Sequence, residues 1–118
     1  MNAPQTVADV LNAAADLIEP EGAWIQGAFA RDANGDLVLA RDPKAICWCV
    51  LGAIRVAGHF DHDNTRPSLV FDRHIGVGPM DEWNDAPERT QAEVVAALRA
   101  AAIAAIAAIA AIAAQVPA

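Results

Sequence analysis

The chain has 118 residues, a length that suits one domain with a single hydrophobic core. Apolar residues make up 55% of it, but many are alanines, so the core must depend on a small number of large side chains. Fifteen acidic and eight basic residues give a net charge of -7, and the scattered basic residues exclude the patch typical of nucleic-acid-binding proteins.

The N-terminal segment predicts an amphipathic helix. Apolar residues recur at three- to four-residue spacing from Val7 to Ile18. Thr6 and Asp9 have the spacing of a capping box, and Pro20 ends the pattern. The segment lacks the basic region and apolar run of a secretory signal, so we expect a cytoplasmic protein with reduced cysteines.

The dipeptide Asn34-Gly35 predicts a tight hairpin turn. These two residue types tolerate the positive φ angles that such turns need. Short apolar runs lie on both sides, and they predict strands at residues 24–31 and 36–40.

Asp42 and Pro43 predict the start of a second helix that runs to about Ala57. On that helix Cys47 and Cys49 would lie about 200° apart, so they could neither form a disulfide with each other nor bind one zinc ion as a CxxC pair does. One hypothesis is that both are core residues. The other is that Cys47, close to the N-terminus of the helix, is an activated thiol.

Residues 59–88 predict a long loop with room for one short helix or strand. Imidazole and carboxylate groups at short spacing can bind a divalent metal ion. A solvated acidic loop is the favoured interpretation of these residues. We expect no cofactor. The weak candidates are His59, Asp61, His62, Asp63, Asp72 and His74.

The stretch EWNDAPERT predicts a rigid corner ahead of the last helix. Trp83 can anchor the loop on the core, and Asn84 and Asp85 can bond to the backbone in a turn before Pro87. A binding site at the same place is the alternative hypothesis.

The last helix begins with Thr90 and Glu93 in capping-box spacing, and we predict that it is long. Residues 1–100 would form the domain, and residues 101–118 would extend this helix. An isoleucine stands at every third position of the extension, so the stripe winds around the helix. The four residues are Ile103, Ile106, Ile109 and Ile112.

The uncharged tail reaches the length of a bilayer span, but alanine is weakly apolar and no basic cluster follows. A membrane anchor is therefore the less favoured interpretation. An alanine-rich helix whose isoleucines are covered by the domain or by another copy is favoured. Because a small domain has little surface with which to cover such a helix, we expect self-association.

Three stretches of this chain resemble an uncharacterised family of small proteins from actinobacteria, other bacteria and their phages. They are the Trp-x-Gln-Gly-Ala, Cys-Trp-Cys-x-Leu-Gly-Ala and Trp-Asn-Asp-x-Pro-x-Arg-Thr stretches, and the likeness covers about residues 10–102. The resemblance implies membership and no activity. If the stretches mark one location, it contains Trp24, Gln26, Cys47, Trp48, Cys49, Trp83, Asn84, Asp85, Arg89 and Thr90.

The stretch CWCVLGAI also resembles the Cys-Trp start of the catalytic helix in papain-like proteases, although the spacings that follow are too short. That resemblance implies Cys47 or Cys49 as nucleophile, His74 as base, and Asn84 or Asp85 as the residue that orients the base.

The predicted fold is a small α+β domain with the order helix, β-hairpin, helix, long loop and long C-terminal helix. We predict a non-enzymatic interaction or assembly protein that binds itself or another protein, with the four isoleucines as the contact surface. A cysteine-dependent hydrolase or transferase and a metal-binding module are the alternatives.

Overall fold

The computed structural model describes residues 5–62 and 64–115 of the chain. Within that part it has five helices and one antiparallel two-stranded sheet, so the α+β fold with a long C-terminal helix is confirmed. The elements are α1 (Val7–Ile18), β1 (Ala30–Asp32), β2 (Ala45–Trp48), α2 (Val50–Gly58), α3 (Arg66–Ile75), α4 (Met80–Asn84) and α5 (Gln91–Gln115).

Helix α1 has the predicted capping box. Asp9 N donates to Thr6 Oγ1 at 3.0 Å, and Thr6 N donates to Asp9 Oδ2 at 3.2 Å. The apolar face of α1, with Leu11 and Ile18 fully buried, packs against α2 and α5. These three helices therefore form the centre of the core.

The turn at Asn34-Gly35 is confirmed, but the strands differ from the prediction. Gly35 has a φ of +83°, and its N–H donates to Asp32 O at 3.0 Å. Residues 24–31 are not one strand, since Gly27 has a left-handed φ of +80° that interrupts extended backbone. β1 is short and pairs with β2, while residues 36–40 make only an isolated bridge to it, between Arg31 and Leu37.

The second helix begins at Val50 and not after Asp42, so that prediction was wrong. Asp42 and Pro43 lie in a turn, in which Asp42 Oδ1 accepts from Lys44 N at 2.8 Å. The next four residues form β2, which is bonded on both sides: Trp48 N donates to Ala23 O at 2.9 Å. Pairing with distant segments therefore overrides the local helix signal.

Residues 59–88 contain two helices, α3 and α4, where the sequence predicted a loop with room for one. Thr65 caps α3, since Ser68 N donates to its Oγ1 at 3.3 Å. Pro67 lies in its first turn, and Gly76 ends it with a φ of +72°. These are ordinary start and stop signals, and they place Phe71 in the core.

Helix α5 has the predicted start. Thr90 N donates to Glu93 Oε1 at 2.9 Å and Glu93 N donates to Thr90 Oγ1 at 3.2 Å. The hydrogen bond from Thr90 N lowers the pKa of the Glu93 carboxyl. Arg99 joins α5 to α1 through Asp16 at 2.8 Å and Glu19 at 3.0 Å.

Only the first part of α5 packs on the body. Its buried residues are Val94, Val95, Leu98, Ala101 and Ala102. Beyond Ala102 the helix continues without a break to Gln115 and projects from the body, and the molecule with this helix included extends 57, 37 and 24 Å along its principal axes. The predicted division at residue 100 stays a prediction, and residues 116–118 of the proposed extension lie outside the described part.

Candidate functional site

The three sequence stretches meet at Asn84, whose side chain is 0% exposed. Its Oδ1 accepts from Trp24 Nε1 at 2.7 Å and from Val50 N at 3.0 Å. Its Nδ2 donates to Ile25 O at 3.1 Å and to Asp85 Oδ1 at 3.0 Å. Both lone pairs and both N–H groups of the amide are therefore satisfied, as a buried polar side chain requires.

Gln26 and Asp85 extend this network on its exposed side. Gln26 Nε2 donates to Asn84 O at 2.9 Å and to Ala86 O at 2.8 Å. Asp85 Oδ1 accepts from Gly27 N at 3.0 Å. These bonds attach the end of α4 to residues 24–27, so they explain the first and third stretches as parts of one structural unit.

Trp83 and Arg89 form the corner that the sequence predicted. The Arg89 guanidinium lies over the Trp83 ring at 4.2 Å, and its Nε donates to Trp83 O at 2.9 Å. On its other side Trp83 meets Phe71 edge-on, with ring centroids 5.7 Å apart. The ring joins α3, α4 and the start of α5, which is the role of a fold determinant.

The second stretch is explained by close packing at the start of α2. Cys49 N donates to Phe29 O at 3.2 Å, and Trp48 Nε1 donates to Ala40 O at 2.9 Å. Gly52 lies against the same carbonyl, and a Cβ at that position would collide with Phe29 O. Glycine is needed there because the backbone of residue 29 approaches the first turn of the helix.

The two cysteines lie in different elements, and neither lies inside a helix as the sequence predicted. Cys47 is on β2, with its Sγ 3.7 Å from Arg31 O. Cys49 is the N-cap of α2, and its Sγ accepts from Gly52 N at 3.4 Å. The thiol near the helix N-terminus is therefore Cys49 and not Cys47.

Burial raises the pKa of the Cys49 thiol to about 11. Hydrogen bonds from the Gly52 and Leu51 N–H groups act in the opposite direction, and the carboxylates of Asp85 and Asp81 add to the rise. The side chain is 3% exposed, so loss of hydration dominates over the N–H groups of the helix end. The thiol is protonated at neutral pH.

An open cleft of about 350 Å³ lies beside Cys49. Most of its lining residues are apolar, and two carry carboxylates. The lining residues are Gly27, Ala28, Phe29, Ala30, Leu37, Val38, Cys49, Asp81 and Asp85. Among the candidate catalytic residues the structure thus brings Cys49 and Asp85 to one cleft.

The histidines lie elsewhere. His74 is exposed on α3 and does not line the cleft. His59 caps the C-terminal end of α2, at the opposite end of that helix from Cys49, and His62 is exposed with its ring centroid 6.4 Å from that of Phe60. In residues 5–62 and 64–115 no group of three or more His, Cys, Asp or Glu side chains is placed to hold a metal ion. Asp63 of the acidic cluster lies outside the described residues.

The four isoleucines of α5 are exposed apolar residues outside the core. They are 69%, 56%, 61% and 64% exposed, in the order Ile103, Ile106, Ile109 and Ile112. A step of three residues leaves each about 60° behind the last, so the four cover an arc of about 180°. We call residues 103–115 the assembly segment, after the role that the sequence predicts for them.

The role of Asn84 as the common partner of three stretches was missed by sequence reasoning, which considered it only as a turn residue or as an orienter of histidine. Sixty residues separate it from Trp24, and no local pattern indicates that contact. The cleft was also missed. Its one local signal is the short apolar run from Leu37 to Ala40, which indicates a strand but not an exposed edge.

The model of the family of unknown function DUF6197 matches residues 2–104. No curated protein and no solved structure matches the chain. The matched range includes all three stretches and ends just inside the assembly segment.

Proposed function

The chain belongs to the family of unknown function DUF6197, which assigns no activity, and we propose from its geometry that it is an assembly protein whose copies associate through the assembly segment. The proposal includes the bacterial or phage origin that the three stretches indicate, and a location in the cytoplasm.

The observation that carries the proposal is the contrast within α5. Val94 and Leu98 are fully buried, whereas all four isoleucines that follow are more than half exposed. A continuous apolar surface of this kind is rare on soluble monomers and is typical of protein interfaces. Among the described residues of the body, none covers the projecting helix.

The free energy gained by burying the four isoleucines is large enough to contribute substantially to association. Full burial of an isoleucine contributes about 1.5 to 3 kcal/mol, and the exposed fraction of these residues leaves about 1 to 2 kcal/mol each. Four such residues offset a large part of the loss of translational and rotational freedom on association.

The arc of about 180° also bears on the number of copies. One straight partner helix covers neighbouring residues such as Ile103 and Ile106 but leaves Ile112 on the opposite side. Each helix needs neighbours on two sides, so we propose a bundle of three or more copies.

A membrane span is less well supported. By length and composition α5 could cross a bilayer, since its most apolar window has a mean hydropathy of 2.3, with 17% of that window buried. The exposed residues 103–115 are about 20 Å long, short of the hydrocarbon core of about 30 Å. A span confined to the described residues would therefore need to take Leu98 and Ala102 out of the core.

The cysteine-dependent hydrolase or transferase is also less well supported. Cys49 is protonated at neutral pH and the cleft beside it is lined by no histidine, so the residues that the hypothesis requires for activation are not together. The metal-binding module has no cluster of ligands in the described part of the chain.

The test is the mass of the protein in solution, measured by light scattering and sedimentation velocity. We expect the full chain to have at least three times the monomer mass, and the double variant Ile106→Lys/Ile109→Lys to be monomeric. The matched control is Leu69→Lys/Val77→Lys, which changes two exposed apolar residues of the body, 54% and 68% exposed, and should keep the assembled mass.

A monomeric full chain, or an assembled mass that survives the Ile106→Lys/Ile109→Lys change, would contradict the proposal. Binding of the full chain, but not of that variant, to neutral lipid vesicles would instead support the membrane interpretation.

A further inference from the structure

We propose that residues 36–40, the edge segment, and the cleft beside them bind an extended peptide that carries a lysine or an arginine. This binding site lies in the body of the domain and does not depend on assembly through α5.

The first observation is the backbone of the edge segment. Asp36 O accepts a hydrogen bond from β1 at 3.0 Å, and Val38 N donates one to β1 at 3.2 Å. The residues between and beyond them, Leu37 and Leu39, therefore direct their N–H groups away from β1. In the described part of the chain these N–H groups make no backbone hydrogen bond, which leaves an edge to which another strand can be added.

The second observation is the exposure of the side chains on this edge. Leu37 is 68% exposed and Leu39 is 78% exposed. Sheet edges in soluble proteins are usually protected by charged residues, by proline or by a covering segment. The edge segment has a charged residue only at its first position, Asp36, and two exposed leucines beyond it are typical of an edge that has a partner.

The third observation is the cleft, whose lining includes the apolar residues Leu37, Val38 and Phe29 and the carboxylates of Asp81 and Asp85. No basic residue lines it. A lysine or arginine side chain combines an aliphatic stem with a cationic end, so it can pack on the apolar wall while its charge meets the carboxylates.

The negative charge of the cleft indicates that the partner is cationic. The chain has a net charge of -7, and the carboxylates of Asp81 and Asp85 favour a cation in the cleft. A second copy of the edge segment would bring Asp36 to this surface, so like charges oppose pairing between two edges. The edge segment is short, and we expect a weak and transient complex.

The test uses uniformly ¹⁵N-labelled full-length protein and a set of acetylated, amidated pentapeptides with lysine or arginine at the centre and valine or threonine around it. We expect these peptides to shift the amide signals of Leu37, Val38 and Leu39. Matched peptides with glutamate at the centre should bind at least about tenfold more weakly, because the cation is lost.

Two pairs of variants separate the backbone contribution from the charge contribution. Leu37→Pro removes the outward N–H and should lower affinity more than Leu37→Ala, which removes the side chain and keeps the N–H. Asp81→Asn should lower affinity for the basic peptides, whereas Glu82→Gln, on the same helix but outside the cleft lining, should not.

The proposal is overturned if the whole basic set leaves the three amide signals unchanged up to millimolar concentration, or if the glutamate peptides bind equally well. It is also overturned if n-butylamine alone reproduces the shifts, because the cleft would then be a site for small amines. Equal affinities of Leu37→Pro and Leu37→Ala for the basic peptides would show that the backbone of the edge segment takes no part in binding.

Discussion

At the start of α2, two effects act on the pKa of the Cys49 thiol in opposite directions. Its Sγ accepts the N–H of Gly52, which favours the thiolate, but burial favours the thiol more strongly and gives a pKa of about 11. The residue acts as a helix cap that is kept protonated by its surroundings. Serine is the ordinary residue for this role, and it has no charge to gain near this pH.

The pKa of Cys49 predicts a loss of stability at high pH. The ordinary value is 9.0 and the folded value is about 11, so the unfolded chain releases the proton first. Stability is complete below pH 9 and falls as the pH rises to about 11, by about 2 to 3 kcal/mol in all. The chain has no tyrosine and only one lysine, so few other side chains change charge in this range.

Urea denaturation between pH 8 and 11 measures this change. The variant Cys49→Ser keeps the cap and should remove most of the slope, and Cys49 in the wild-type chain should react with iodoacetamide at pH 8 only after unfolding. A slope that is the same in both proteins, or that rises with pH, would show that another group controls stability there.

At the scale of elements, Asn84 joins α4 to the start of α2 and to residues 24–25. Replacement by alanine leaves the part-buried Trp24 indole N–H and the buried Val50 N–H without their acceptor. We expect Asn84→Ala to lower the free energy of unfolding by about 3 kcal/mol. Urea denaturation measures it, with Asn12→Ala on α1 as a control that should change stability by less than about 0.5 kcal/mol. Equal effects of the two changes would mean that the network adds nothing to stability.

The elements that sequence reasoning predicted well are those with local signals. The capping boxes at Thr6 and Thr90 and the turn at Gly35 are each contained within a few residues, and all three are confirmed. Helix α3 had signals of the same kind, in Thr65 and Gly76, which the prediction did not use.

β2 and the Asn84 network could not be predicted in this way. Trp48 pairs with Ala23, 25 residues earlier in the chain, and that pairing replaces a helix that Asp42 and Pro43 indicated locally. Cysteine is not a usual N-cap, so the true start of α2 at Cys49 carried no recognisable signal. Contacts between distant segments decide both features.

At the scale of the whole molecule, each copy brings a net charge of -7 to an assembly. The assembly segment itself is uncharged, so the repulsion comes from the bodies and is screened by salt, with a Debye length that falls from about 10 Å at 0.1 M to about 3 Å at 1 M. We expect association to be stronger in 500 mM than in 50 mM sodium chloride. Sedimentation velocity at fixed protein concentration measures it, and weaker association at high salt would indicate that ion pairs and not isoleucines hold the copies together.

Helix α5 runs without interruption from the core to the assembly segment, and this continuity has a consequence for valency. A stiff connection fixes the direction in which each body faces, so the copies in the proposed bundle would present their clefts at regular spacing around a common axis. A partner with two basic stretches can then occupy two clefts at once. The second contact forms at an effective concentration of about millimolar, so avidity can exceed the affinity of one cleft by about 10² to 10⁴. Weak single sites are thus compatible with firm attachment to a repetitive partner.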